Sequence, residues 1–109
     1  VTGFGAERRK LRLTGDPVRD GFMANLWRAR RRSGLSQEDL GFRAGLHRTE
    51  ISLLEVGGRL PRIDTLVKLA GALEIEPGEL LEGIAWNPGS VAVGGFDITP
   101  AGPQENADV

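Results

Sequence analysis

Residues 36–55, SQEDLGFRAGLHRTEISLLE, constrain this chain more than any other stretch. Ser36 suits a helix N-cap, and Asp39, three positions on, is placed as the partner of a capping box. The spacing predicts a short helix over 37–43, with Leu40 and Ala44 turned inward. Gly45 permits the left-handed backbone that ends one helix and turns sharply into the next. A second helix is expected over 47–55, where Ile51 and Leu54 share one face three residues apart. The rest of the chain reads as support for this pair.

Upstream, Asp16 as N-cap and Pro17 at the first helical position start a helix that runs to Ser33 and ends at Gly34. Phe22, Leu26 and Ala29 form its apolar stripe. Arg30 falls on the edge of that stripe, where a charge is costly unless paired. Met23 and Trp27 lie on a flanking face; Arg28, Arg31 and Arg32 are solvated or near phosphate. Downstream, residues 56–62 read as a Gly-rich loop. Leu66, Leu69, Ala70 and Leu73 predict a fourth helix over 63–74. Glu76-Pro77 opens a fifth, short one, with Leu80 and Leu81 inward and Gly83 at its end.

The unit over 37–55 is a helix-turn-helix, whose second helix enters the DNA major groove. The run LWRARRRSGLSQEDL, then AGLHRTEISLLEVGGRLPRIDTLVKLAGALEI, then PGELL resembles the Xre/phage-repressor (lambda repressor and Cro-like) family over about residues 22–82. The resemblance implies an all-α fold, a five-helix lambda-repressor-like bundle, and a cytoplasmic regulator, nucleoid-associated if bacterial, that binds double-stranded DNA as a homodimer. It further implies a structural ion pair between Arg30 and Glu55, base reading by Arg48, Thr49 and Leu53 with Ser52 close by, and a phosphate contact at Gln37. Arg43, Arg59 and Arg62 are the other phosphate candidates. Arg is the usual bidentate reader of guanine, and Leu or a Thr methyl can touch the thymine methyl. Glu50 repels phosphates unless it accepts from cytosine or caps its helix. His47 stands where the family often has Ser or Thr, and Val56 where it often has Asn or Arg.

Residues 1–15 are expected to be a tail, residues 16–83 the helix-turn-helix domain, 84–99 an extension, and 100–109 a disordered tail. The basic run over 7–12 is either a disordered tail or an arm onto DNA phosphates; disorder is the reading adopted. In the extension, Trp86-Asn87-Pro88-Gly89 is turn chemistry. The β-prone runs 90–93 and 96–99 flank Gly94-Gly95, which predicts a small hairpin with a two-residue loop. An isolated hairpin is marginal in water. It therefore either dimerises or folds back on Met23 and Trp27.

Net charge is −1 over 109 residues, but it is unevenly spread. Residues 19–62 hold nine Arg against five acids, net +4, while residues 63–109 hold Lys68 against eight acids, net −7. The positive field therefore accompanies the helix-turn-helix, as a phosphate-binding face requires. With one His and no Cys, no catalytic, metal or cofactor site is expected. No apolar run reaches the length of a membrane span. The competing function is a non-catalytic protein-interaction or antitoxin-like module on the same fold.

Overall fold

The computed structural model describes residues 13–89 and 94–99. Asp16 accepts from the backbone N–H groups of Val18 (3.0 Å) and Arg19 (3.3 Å), which starts α1, Pro17–Ser33. Ser36 and Asp39 close a reciprocal capping box that starts α2, Gln37–Ala44. Gly45, at φ 72°, ends it in the left-handed region. Then come α3, Arg48–Glu55, and α4, Ile63–Leu73. α4 ends one residue before Glu74, which takes a left-handed φ of 59°.

Phe22, Leu26, Leu40, Ile51, Leu54, Leu69 and Leu80 are at most 1% exposed and form one core beneath all four helices. Burying a side chain of this size stabilises by about 1.5–3 kcal/mol. The recognition pair is thus held by helices on either side of it in sequence.

The bundle has four α-helices rather than the expected five. Residues Pro77–Leu81 form a 3-10 turn instead. Glu79 N–H bonds the carbonyl of Glu76 at 2.9 Å, an i→i+3 bond, and Ile84 is already in a strand. Five residues between Glu76 and an extended Glu82 are too few for an α-helix to propagate. Buried Asn25 donates to the carbonyls of both Leu80 and Glu82 at 3.0 Å. One α1 side chain therefore satisfies two carbonyls at the end of the turn, and this polar staple had no signal in the apolar pattern.

The C-terminal extension is a hairpin with a different register from the one expected. β1, Ile84–Asn87, pairs antiparallel with β2, Gly95–Ile98, and Asn87 faces Gly95. Gly95 is thus a strand residue, not half of a two-residue loop. Asn87 Oδ1 accepts from Gly89 N–H at 3.1 Å, so the chain turns out of β1 at the Asn-Pro-Gly step. The expected strand over 90–93 lies outside the described residues, as do residues 1–12 of the expected tail over 1–15 and the expected tail over 100–109. The hairpin packs on α1. Met23 is buried beside Gly57, and Trp27 stacks with Arg31 at 5.0 Å. Ile84 and Ile98 lie over Gly21, where an added Cβ would meet Ile84 Cγ1 at 2.8 Å.

Candidate nucleic-acid interface

α3 is short, and its inner face is fixed by Ile51, Leu54 and Glu55. The remaining residues must point sideways or outward. Arg48 and Thr49 are exposed at its first turn, the end that enters a groove first. His47 caps that turn, with its Nδ1 accepting from Thr49 N–H at 3.0 Å. A ring nitrogen here does what a hydroxyl does in a Ser or Thr cap. Arg48 has no hydrogen-bond or ion-pair partner among the described residues. Its guanidinium fork is therefore available for a ligand. Ser52 and Leu53 are half-buried, and Leu53 Cδ2 lies against Gly58, 3.1 Å from where a Cβ would stand there. Val56, just past the helix, is 58% exposed.

The structure brings Arg30 and Glu55 together. Arg30 donates from Nε to Glu55 Oε2 at 2.5 Å and from Nη2 to Oε1 at 3.0 Å. The Glu55 side chain is 2% exposed and that of Arg30 11%. Arg30 Nη1 also donates to the Leu35 carbonyl at 2.9 Å, between α1 and α2. This bidentate pair locks α1, the α1–α2 turn and the end of α3 into one frame.

Gln37 joins the same cluster. Its Nε2 donates to Glu55 Oε1 at 3.1 Å, so the side chain expected on phosphate is turned inward to the buried carboxylate. Sequence reasoning had not paired Gln37 with Glu55. The two are 18 positions apart, and only the packing of α2 across α3 places them together.

The three phosphate candidates are engaged to different degrees. Arg59 Nη1 donates to both oxygens of Glu50, at 3.0 and 3.3 Å. That pair neutralises the carboxylate that looked out of place on α3. Arg43 donates to the Ala72 carbonyl at 3.2 Å and lies 4.0 Å from Glu74. Arg62 precedes α4 with its side chain 83% exposed and its Nε 3.4 Å from Asp64. Arg62 has the most freedom to reach a new anion, since an exposed pair of this kind is worth under ~1 kcal/mol. No three His, Cys, Asp or Glu side chains gather as a metal-binding group among the described residues, and no helix there is long and apolar enough to cross a membrane.

Comparisons with known proteins address the same region. A helix-turn-helix family profile matches residues 28–80. The chain is 43% identical over 79 residues to the control protein C.BamHI of Bacillus amyloliquefaciens, spanning 72% of this chain and 76% of that one. It is 41% identical over 58 residues to the HTH-type transcriptional regulator y4dJ of Sinorhizobium fredii, spanning 53% and 75%. Among solved structures, the restriction-modification controller protein C.AhdI of Aeromonas hydrophila superposes with a TM-score of 0.54 at 43% identity, over 55% of this chain and 91% of that one.

Proposed function

Since the chain belongs to the Xre/lambda-repressor-like helix-turn-helix family and is a DNA-binding transcriptional regulator of that type, we propose that it reads its operator with Arg48, Thr49, Ser52 and Leu53 while Arg43, Arg59 and Arg62 hold phosphates. The observation that carries this reading is the first turn of α3. It is capped by His47, flanked by exposed Arg48 and Thr49, and backed by a frame that fixes its angle. Gln37 acts mainly through Glu55, as a positioning residue; its backbone amide remains near the N-terminus of α2 for a phosphate oxygen. Glu50 is masked by Arg59, so the groove face of α3 presents little net negative charge to DNA. The regulator works where the DNA is, in the cytoplasm and on the nucleoid of a bacterial cell, and its role is binding rather than catalysis.

The phosphate contacts differ in what their removal does. Arg62→Ala weakens binding to cognate and random DNA alike and reduces the slope of log K against log salt by about one. Arg59→Ala does more, because it also uncovers Glu50; adding Glu50→Gln restores part of the loss. Titrations at several salt concentrations check both. Unchanged slopes in Arg43→Ala, Arg59→Ala and Arg62→Ala together would place the docking face elsewhere.

The regulator acts as a homodimer on two half-sites about 34–36 Å apart. What supports this is the hairpin's apolar face. Trp86 and Phe96 pack edge-to-face at 5.0 Å yet stay 56% and 48% exposed after the hairpin has docked on α1. Among the described residues no third strand pairs with β1 or β2, which leaves their outer edges to a second copy. Trp86→Ser with Phe96→Ser gives a folded monomer that binds half-sites only weakly. A double variant with wild-type mass in solution assigns the dimer to another surface, such as the exposed Ile63 and Val67 of α4. Because the similar C.AhdI is a restriction-modification controller protein, the regulated genes are read as an operon of that kind. Binding to the promoter of such an operon in the same genome tests it.

A further inference from the structure

His47, at the cap of α3, has more polar reach than a cap needs. Its Nδ1 accepts from the Thr49 N–H at 3.0 Å. Its carbonyl takes the first helical bonds, from Glu50 N–H at 2.9 Å and Ile51 N–H at 3.3 Å. A Ser or Thr in this place spends its one polar side-chain atom on the cap. An imidazole carries two nitrogens on different edges of one rigid ring, so one can cap while the other faces elsewhere.

The cap also decides where the ring proton sits. A nitrogen that accepts from an N–H carries no proton itself, so the neutral ring holds its proton on Nε2. Nε2 is therefore a donor. It lies across the ring from the capped amide and points ahead of the helix rather than back along it. His47 is exposed, and Nε2 has no partner among the described residues.

This donor is held from two sides. Gly41, buried in α2, lies so close to the turn that an added Cβ would meet the Leu46 carbonyl oxygen at 2.7 Å and the His47 carbonyl carbon at 3.4 Å. α2 thus seats the backbone that carries the ring, and the bond from Thr49 fixes the ring's rotation. A donor ordered before binding loses less freedom on meeting its acceptor. In a helix-turn-helix complex the N-terminal residues of the second helix meet the base edges. Arg48, the next residue, is exposed at the same end. The major-groove edges there offer acceptors at guanine N7 and O6, adenine N7 and thymine O4. A phosphate gains most from a cation, whereas a neutral donor of fixed direction suits the uncharged, directional acceptors of a base edge.

We propose that His47 is a further base-reading residue, donating from Nε2 to a base acceptor in the pair next to the one read by Arg48 while its Nδ1 holds the cap. The proposal rests on the reading of α3 as the helix that enters the groove. The bond that starts α3 then also sets the tautomer with which the chain reads DNA. A Ser or Thr at this position starts the same helix without adding that contact.

The test uses the full chain, whose single His makes the ring signals unambiguous. Long-range nitrogen–proton NMR of the free protein in mildly alkaline buffer should show the proton on Nε2, and that proton should exchange more slowly in the complex with the selected duplex. His47→Ser keeps a good cap and has no outward donor. Its binding is measured on the selected site, on single base-pair changes of that site, and on random DNA. It should bind the selected site roughly 3- to 10-fold more weakly than wild type, the worth of one neutral hydrogen bond. On random DNA its affinity and salt slope should match wild type. It should also lose the preference at one base pair in each half-site, a different pair from the one lost in Arg48→Ala. A ring proton on Nδ1 in the free protein overturns the proposal. So does an equal loss on selected and random DNA, which makes His47 a backbone contact, or full retention of every preference, which makes it a cap alone. Each of these leaves the reading by Arg48 standing. A wild-type chain with no preference at any base pair overturns both.

Discussion

Changing Glu55 to Gln should lower the stability of this protein by about 3–5 kcal/mol, the cost of breaking a buried ion pair from one side. The argument is geometric. Glu55 is 2% exposed, and its donors include two from Arg30 and one from Gln37. A neutral amide there offers one acceptor and two unwanted donors facing a guanidinium. Arg30, 11% exposed, is then left with an uncompensated charge beside the core. For a folded unit of this size a loss of that order lowers the thermal midpoint by roughly 15 °C or more. Replacing both partners, Arg30→Met with Glu55→Leu, should cost much less, since two desolvated charges are removed together. Thermal melts of the three variants check this; a Glu55→Gln protein that melts with wild type would show the pair to be worth nothing.

Arg48→Ala carries the largest expected effect on function. Arg48 sits at the first position of α3, is exposed, and has no hydrogen-bond or ion-pair partner among the described residues. It therefore gives up no intramolecular bond on meeting a base, and the fold should be unaffected by its loss. Losing a bidentate guanine contact should cost about 1–3 kcal/mol on the cognate site, roughly 5- to 150-fold in affinity. Specificity should relax at one base pair while random-sequence binding changes far less. An equal loss on both would make Arg48 a phosphate contact.

Much of this molecule was legible in its sequence because the relevant signals are local. Asp16-Pro17, the Ser36/Asp39 box and Gly45 each state a backbone geometry within four residues, and all three caps formed where expected. The inner faces of α3 and α4 followed from apolar spacing in the same way. What escaped was non-local or polar. Asn25 reads as a surface residue by type, yet it is buried because two carbonyls of the C-terminal turn come to it. The fifth helix failed for want of length, since local propensity cannot overcome the cost of nucleating so short a segment. The hairpin register failed because Gly94-Gly95 is a strong local loop signal. The docking of Ile84 and Ile98 on Gly21 favours a pairing whose loop closes elsewhere.

At the candidate interface the limits were electrostatic. The sequence placed Arg59, Glu50 and Gln37 on the right elements but not on their partners. Glu50 looked like an obstacle to DNA until Arg59 came across the α3–α4 loop to meet both its oxygens. Gln37 looked like a phosphate ligand until α2 crossed α3 and turned its amide to Glu55. Long side chains choose among partners within several ångströms, and no spacing rule specifies that choice.

The most direct test of the account is in vitro selection of duplexes bound by the full chain, run in parallel with the Arg48→Ala protein. The account predicts enrichment of a two-fold symmetric sequence with half-sites about 10–10.5 base pairs apart, centre to centre. It also predicts that Arg48→Ala loses the preference at a single position in each half. A wild-type pool no richer in any sequence than its input, or one enriched identically by both proteins, would contradict the claim that this chain reads DNA through the first turn of α3.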